Sequence, residues 1–304
     1  MVFAAIRNSI SLKVSLTLAA VTLALTSISA GVIISHQTAA MEDMTLSKAK
    51  LSAQLGAQGY GQLLEQAVDD GHVTVQDVFD TNYEEIKGYD WGGKPKYHTR
   101  YDFITDRIAV GFLDRFLESD DFVAAIAGDV NGYVPTHNSK FMKPLTGDPV
   151  KDLEGNRTKR IFNDDIAMRA AKSVDPVLIQ PYRRDTGAML WYVSSPVFVK
   201  GKHWGAFRVL VSMDEIARKR GSLIGTLTGM FAVFAVASAG VIFLMIRRSM
   251  QPLTALTQIA DQLSIGEGLE TPIKPATTDE VGTMAKSLDR LRASLKAAMA
   301  RLGE

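Results

Sequence analysis

The chain of 304 residues contains no cysteine. Disulfide staples, cysteine nucleophiles and thiolate metal sites are therefore excluded. A basic surplus is also missing, because 34 Lys and Arg stand against 33 Asp and Glu. Nucleic-acid binders usually carry such a surplus, so that class is set aside. Histidine is scarce: His36, His72, His98, His137 and His203 show no spacing that suits a metal. There is no G-x-S-x-G elbow and no Walker loop. Charge itself is absent from two stretches, Val14 to Met41 and Gly221 to Ile246. A helix needs about 20 apolar residues to cross the hydrocarbon core, and both runs reach that length.

Two spans would divide the chain into an N-terminal segment (1–13), a first membrane helix (14–35), a long loop (36–221), a second membrane helix (222–246) and a C-terminal segment (247–304). The first run also has features of a secretory signal, with Arg7 and Lys13 in front and the small residues Ser27-Ile28-Ser29 inside it. It stays apolar through Val32-Ile33-Ile34, which suits an uncleaved span. Arg7 and Lys13 precede the first span and Arg247-Arg248 follow the second, which places both termini in the cytoplasm and the loop outside. Arg218-Lys219-Arg220 on the outer flank run against that rule, but long loops translocate largely regardless of charge.

Within the loop, His36 to about Asp70 reads as one helix continuing the first span. Leu46, Leu51, Leu55, Leu63 and Leu64 recur at roughly helical spacing, and Gly71 is a plausible C-cap. Tyr89–Tyr101 reads as loop. Asp102–Glu118 reads as a second helix with Ile104, Ile108, Phe112 and Phe116 on one face. Phe122–Asp129 reads as a strand, and Asn131-Gly132 as a hairpin turn returning Tyr133–Thr136 beside it. Ser139–Asp175 is irregular apart from a short helix near Asp164–Lys172. Met189–Val199 and Trp204–Ser212 form a hairpin around Lys200-Gly201-Lys202. Pro196 implies that the first of these strands is edged or bulged there. Met213–Arg220 re-enters helix.

Four blocks in this region carry a resemblance: Gly128-Asp129-Val130-Asn131-Gly132-Tyr133-Val134-Pro135-Thr136-His137-Asn138, Lys159-Arg160-Ile161-Phe162, Gln180 to Gly187, and Gly201-Lys202-His203-Trp204-Gly205. They resemble the Cache domains, PAS-like extracytoplasmic sensors of bacterial receptors. The resemblance implies an α+β sensor domain binding a small molecule. Candidate ligand residues are Tyr133, His137, Arg160, Tyr182, Arg184, Asp185, His203 and Trp204. Arginine forks suit carboxylate or phosphate, so a small anion is one option and a salt-bridge cluster the other. His137 and His203 flank the two proposed turns and are expected more as structural than as metal-binding residues. No metal or other cofactor is implied.

Past the second span, Leu253, Leu256, Ala260 and Leu263 fall at 3-4-3 spacing. Val281, Met284, Leu288, Leu291, Leu295 and Ala298 alternate by threes and fours. Such stripes suit a coiled-coil seam, and neither helix is long enough to stand alone in water. Between them lie Gly266-Glu267-Gly268-Leu269 through Ile273 and the tetrad Asp279-Glu280-Val281-Gly282. This order resembles the HAMP domain, the relay module of bacterial chemoreceptors, kinases and cyclases. The resemblance rests on Pro252, Gly266, Leu269, Ile273, Glu280 and Gly282. It implies a parallel four-helix bundle from two chains, with Leu253, Leu256, Leu288 and Leu291 in its seam.

The combined expectation is a two-span membrane protein with a Cache-like ectodomain and a HAMP relay. It resembles the N-terminal half of methyl-accepting chemotaxis proteins. Such a chain would be a non-enzymatic signal-transduction receptor of the bacterial inner membrane, with a periplasmic sensor. It would act as a homodimer, as part of a longer receptor or upon a chemotaxis, kinase or cyclase partner in trans. The rival is an accessory protein whose outer domain docks a periplasmic protein.

Overall fold

The computed structural model describes residues 10–87 and 94–302. Expectations involving Arg7, Tyr89 and Glu304 lie outside them. The chain divides into two units: His36–Ile224, and the segments Met1–Ser35 with Gly225–Glu304.

The central unit is built on an antiparallel sheet of four strands. In chain order these are β3 (Phe122–Asp129), β6 (Leu178–Arg183), β7 (Met189–Val199) and β8 (Lys202–Ser212). Their spatial order is β3-β8-β7-β6. Short strands flank it: β1 (Glu84–Glu85) pairs with β2 (Tyr97–His98), and β4 (Tyr133–Val134) with β5 (Arg160–Ile161). The β7–β8 hairpin turns as expected, with left-handed φ at both Lys200 and Gly201, the pattern of a primed turn. Pro196 lies beyond the last β6 pairing, Leu178 with Ser194, so β8 is its only neighbour there; a bulge follows at Val197/Phe198. The missing N–H therefore costs no ladder bond on the open side.

One face of the sheet is covered by the second half of the long helix α1 (Ile10–Asp69), which ends at Gly71 with φ +75 and the His72 N–H on the Ala67 carbonyl; a single-turn helix, α2 (Val75–Val78), follows, capped by Thr74. The buried stripe is Ala49, Ala53, Ala57, Tyr60, Leu64 and Ala67. The leucine stripe expected from periodicity faces inward only in part: Leu64 is buried, whereas Leu51 and Leu55 are 57% and 55% exposed. Small residues win the inner face because the backbone comes close. A methyl group at Gly56 would stand 2.1 Å from the Phe207 ring, and one at Gly61 would stand 2.5 Å from the Phe198 carbonyl oxygen.

Four further expectations are corrected. The segment after Tyr101 is not one helix but α3 (Asp102–Ile108), α4 (Val110–Arg115) and a 3-10 turn, Phe116–Glu118. Its break falls at Ala109, beside the poor helix formers Val110 and Gly111. Tyr97–His98 lies in a strand rather than in loop. Asn131-Gly132 does turn the chain, but the returning strand pairs with β5 rather than β3. The Asp129 carboxylate accepts from the Asn131 and Tyr133 N–H groups and draws the chain out of the sheet plane, leaving β3 to pair with β8 alone. Finally, the stretch beyond Ser139 holds helix α5 (Pro149–Gly155) and β5, besides helix α6 (Asp165–Lys172) with Asp164 as its N-cap.

The other unit contains the two apolar runs. They lie in α1 and in α7 (Met213–Ser264), both long and apolar enough to cross a membrane. α7 carries Pro252 in its interior. Gly266 then turns with φ +82, and α8 (Glu280–Leu302) begins after Asp279, whose carboxylate accepts from the Val281 and Gly282 N–H groups. A methyl group at Gly282 would stand 1.9 Å from the Thr277 carbonyl oxygen, so the tetrad's glycine is a close-approach position.

Candidate functional site

The eight proposed ligand residues separate into three places. Trp204 and Tyr133 belong to the α1-covered core. Trp204 donates from Nε1 to the Val78 carbonyl at 2.9 Å, and its ring meets Tyr60 and Tyr101. Tyr133 donates to the Tyr97 carbonyl and lies 3.0 Å from the Asp102 carboxylate. Two buried carboxylates organise this polar layer. Asp129 takes the hydroxyls of Tyr83 and Tyr101 besides its two backbone N–H groups, although burial still pushes its carboxyl up. Asp102 is met by His98 and by Lys159, which adopts left-handed φ and also reaches Asp106.

His203 stands apart, with its ring 5.5 Å from Phe198 near the β7–β8 turn; burial holds its pKa down. Nothing joins it to His137 by hydrogen bond, ring contact or shared cavity, and no cluster of metal-ligating side chains occurs among the described residues.

The remaining five gather on the opposite face of the sheet. A smaller apolar cluster there includes Ala124, Ile126, Val134, Phe141, Tyr182 and Tyr192. Arg184 lies over the Phe141 ring at 4.6 Å, and His137 packs against the same ring at 4.9 Å. Asp185 pairs with Arg157 at 2.9 Å. Arg160 is 4% exposed and makes only long contacts, 3.4 Å each, to the Leu153 and Asp152 carbonyls; its Nε has no partner. Arg160, Tyr182 and Asp185 line a cavity of about 690 Å³ together with Phe162, Ile166 and Lys94. The lining carries Lys94, Arg160 and Arg183 against Asp164, Asp165 and Asp185. Burial and Arg157 lower the Arg160 and Arg184 pKa values to about 10, and burial with the same arginine keeps His137 neutral. Burial, Arg160 and Lys159 bring Lys96 down to about 7.

Three residues of this face escaped the sequence reading. Arg157 is a buried partner of Asp185, Asn138 is fully buried with its side chain against His137, and Arg208 is fully buried on β8 beside the Tyr192 phenol. The signal for Arg208 was available. Phe207, Val209 and Val211 face α1, so strand alternation turns Ala206, Arg208 and Leu210 to the other side, where a charge interrupts apolar residues.

The C-terminal relay residues are likewise placed. Leu253, Leu256, Ala260, Met284, Leu288 and Leu291 line an open, mainly apolar groove of about 520 Å³ between α7 and α8. Leu269 and Ile273 are half-buried, and the connector is tied to α8. Arg292 donates to the Leu269 carbonyl at 2.6 Å, and the Ile273 N–H donates to Asp289 at 2.8 Å.

Residues 244–297 match the HAMP domain family, so this segment is a HAMP domain. No curated protein matches the chain in sequence. Among solved structures it is similar to the sensory domain of the Campylobacter jejuni chemoreceptor Tlp3 (CcmL) with isoleucine bound, at 15% identity, over 62% of this chain and 65% of that one, with a TM-score of 0.29. It is also similar to an extracellular ligand binding receptor from Desulfohalobium retbaense (15% identity, 59% and 27% covered, TM-score 0.26). A third is the ligand binding domain of Mlp24 with asparagine (13% identity, 60% and 62% covered, TM-score 0.23). TM-scores below 0.5 carry no argument about ligand or mechanism. The chain spans 65% of the length of the first of these structures.

Proposed function

We propose that this chain is a transmembrane signal-transduction receptor that senses a small extracytoplasmic molecule and relays a conformational change through its HAMP domain. The observation that carries this reading is the single helix α7. It starts directly after the last sheet strand, contains an apolar run long enough to span a membrane, and ends inside the HAMP domain. The domain limits drawn from sequence, with the sensor at 36–221 and the relay at 247–304, fit that continuity. A ligand that favours one packing of the sensor would shift α7 and so bias the relay.

The protein works as a homodimer in a bacterial inner membrane, with the sensor in the periplasm and both termini in the cytoplasm. The open apolar groove between α7 and α8 supports the dimer, because a second chain's helices would fill it. Its output is a chemotaxis, kinase or cyclase protein, either in trans or in a longer form of the chain. The test uses the absence of native cysteine. Leu288→Cys in membranes should cross-link to its copy, whereas Lys286→Cys should react less. A stabilising compound should change the Leu288→Cys rate. A rate that no stabilising compound alters would end the relay reading.

A further inference from the structure

The exposed side of α1 is patterned as closely as its buried side. Steps alternating between four and three residues run along it from Met44 to Asp69. Such a row stays on one side of a helix. It lies opposite the buried stripe: Met44 is 75% exposed, and Leu51 and Leu55 follow it outward. Gln58 and Gln62 continue the row, both exposed. From Leu51 to Gln62 its members carry no charge. The charged members at either end are held by their own chain. Lys48 donates to Ser119 and pairs with Asp121, Glu65 accepts the Lys200 N–H, and Asp69 pairs with the Lys200 ammonium at 2.7 Å.

Beside the row lies an open groove of about 300 Å³. Gln54, Gln58 and Gln62 of α1 line it together with Pro196 and Phe198 of β7, and Phe198 is 45% exposed. The chemistry of the row selects what can cover it. A parallel pair of helices about a two-fold axis sets each residue against its own copy, so like charges would meet there and repel. A neutral row avoids that. An antiparallel pair centred on the same stretch would set Leu51 level with Gln62 and Leu55 level with Gln58, burying amides against leucine. The parallel pair keeps leucine on leucine and lets the glutamine amides bond each other, and a polar layer of that kind fixes register. At its other end α1 carries an apolar run long enough to cross a membrane, which holds two inserted copies parallel.

We propose that a second copy of this chain docks on the Met44–Gln62 row of α1, parallel and in register. This rests on the receptor reading and carries its dimer contact from the HAMP domain into the sensor. The end of the row toward the apolar run is packed by methionine and leucine, and the far end is joined by glutamine amides. The periodicity of leucine along α1 thereby serves two surfaces, with Leu64 in the chain's own core and Leu51 and Leu55 against the partner.

The test uses the full chain in membranes, with single cysteines oxidised under the conditions used for Leu288→Cys. Leu51→Cys, Leu55→Cys and Gln62→Cys should each link to their own copy several-fold faster than Lys50→Cys, which is exposed on α1 but off the row. When Leu51→Cys and Gln62→Cys chains of different tag length are co-expressed, each should link to its own kind and not to the other. Leu55→Glu should stay folded by tryptophan emission, because the position faces away from its own core. It should slow Gln62→Cys linking about tenfold, because like charges then meet at the axis. Lys50→Cys linking as fast as Leu55→Cys overturns the interface, as does a Leu51→Cys to Gln62→Cys link. Gln62→Cys linking unchanged by Leu55→Glu overturns it as well, and so does unfolding of Leu55→Glu, which would place Leu55 in the chain's own core. No linking at the three α1 positions while Leu288→Cys still links overturns this interface alone. The receptor reading falls instead with a Leu288→Cys rate that no stabilising compound alters.

Discussion

The two faces of the central sheet solve opposite problems. On the α1 side, large aromatics interlock, and most of their polar ends are matched: Trp204 to the Val78 carbonyl, Tyr83 and Tyr101 to Asp129, and Tyr133 to Asp102. The Tyr60 hydroxyl meets a neutral partner, the Thr105 hydroxyl. On the other side a thinner apolar layer is edged by arginines: Arg160 reaches two carbonyls only at long range, and Arg208 lies against the Tyr192 phenol. The first face is arranged for stability. The second carries the buried charges.

The comparison is broken most directly at Trp204. Trp204→Ala should cost about 3–5 kcal/mol, read as a large fall in the melting temperature of the sensor. A loss no larger than that of a surface change would mean the α1 face is not the stabilising one. Asp129→Ala comes next. It leaves two phenols and two N–H groups without their acceptor, so a cost of about 2–4 kcal/mol is expected in a denaturant titration.

Acid–base behaviour separates the faces as well. Lys96 is fully protonated in the unfolded chain up to its ordinary pKa of 10.5, but in the fold its pKa is about 7. The unfolded state therefore binds more protons between those values, and stability should rise with pH from about 7 to 10.5. Lys96→Met should flatten that rise. His137 acts in the same direction at lower pH: its folded pKa is held well below 6.5, so stability should fall as pH drops beneath that value.

The smallest effect is expected where the domain meets its flanking helices. Asp121 pairs with Lys48 of α1 and Lys219 of α7, both at 2.8 Å, and these lysines lower its pKa to about 2. Its contribution should be present above pH 3.8 and be lost as pH falls toward about 2. Both lysines are substantially exposed, so Asp121→Asn should cost under about 1 kcal/mol. A larger loss in the melting curve would show the clasp to be tighter than a solvated ion pair.

Legibility in the sequence followed the physics of each element. The apolar runs, the Lys200-Gly201 turn and the HAMP caps are local signals, and periodicity or a single residue's φ was enough to read them. The inner stripe of α1 was not, because leucine outranks alanine on any hydrophobicity scale. What placed Gly56 inside was the closeness of Phe207, a residue about 150 positions away, and Ala49 and Ala53 are buried with it. The partner of β4 was lost in the same way, through a carboxylate that redirected a strong turn signal. At the site, Arg160, Tyr182 and Asp185 share a cavity, whereas Trp204 and His203, next to each other in sequence, serve different places. Arg208 was legible from strand alternation, as a charge set between Ala206 and Leu210 on the second face.

β3 joins the two ends of this description. Gly128, near one end, touches the Arg208 guanidinium, and Asp121, just before the other, grips both helices that lead out of the domain. Its eight residues cover at most roughly 27 Å, and the ladder slips once, between Phe122 and Ala124, beside the clasp. As an edge strand it is tied sideways only to β8. It is in effect a push-rod in a one-sided guide, with a joint at the irregularity next to the clasp.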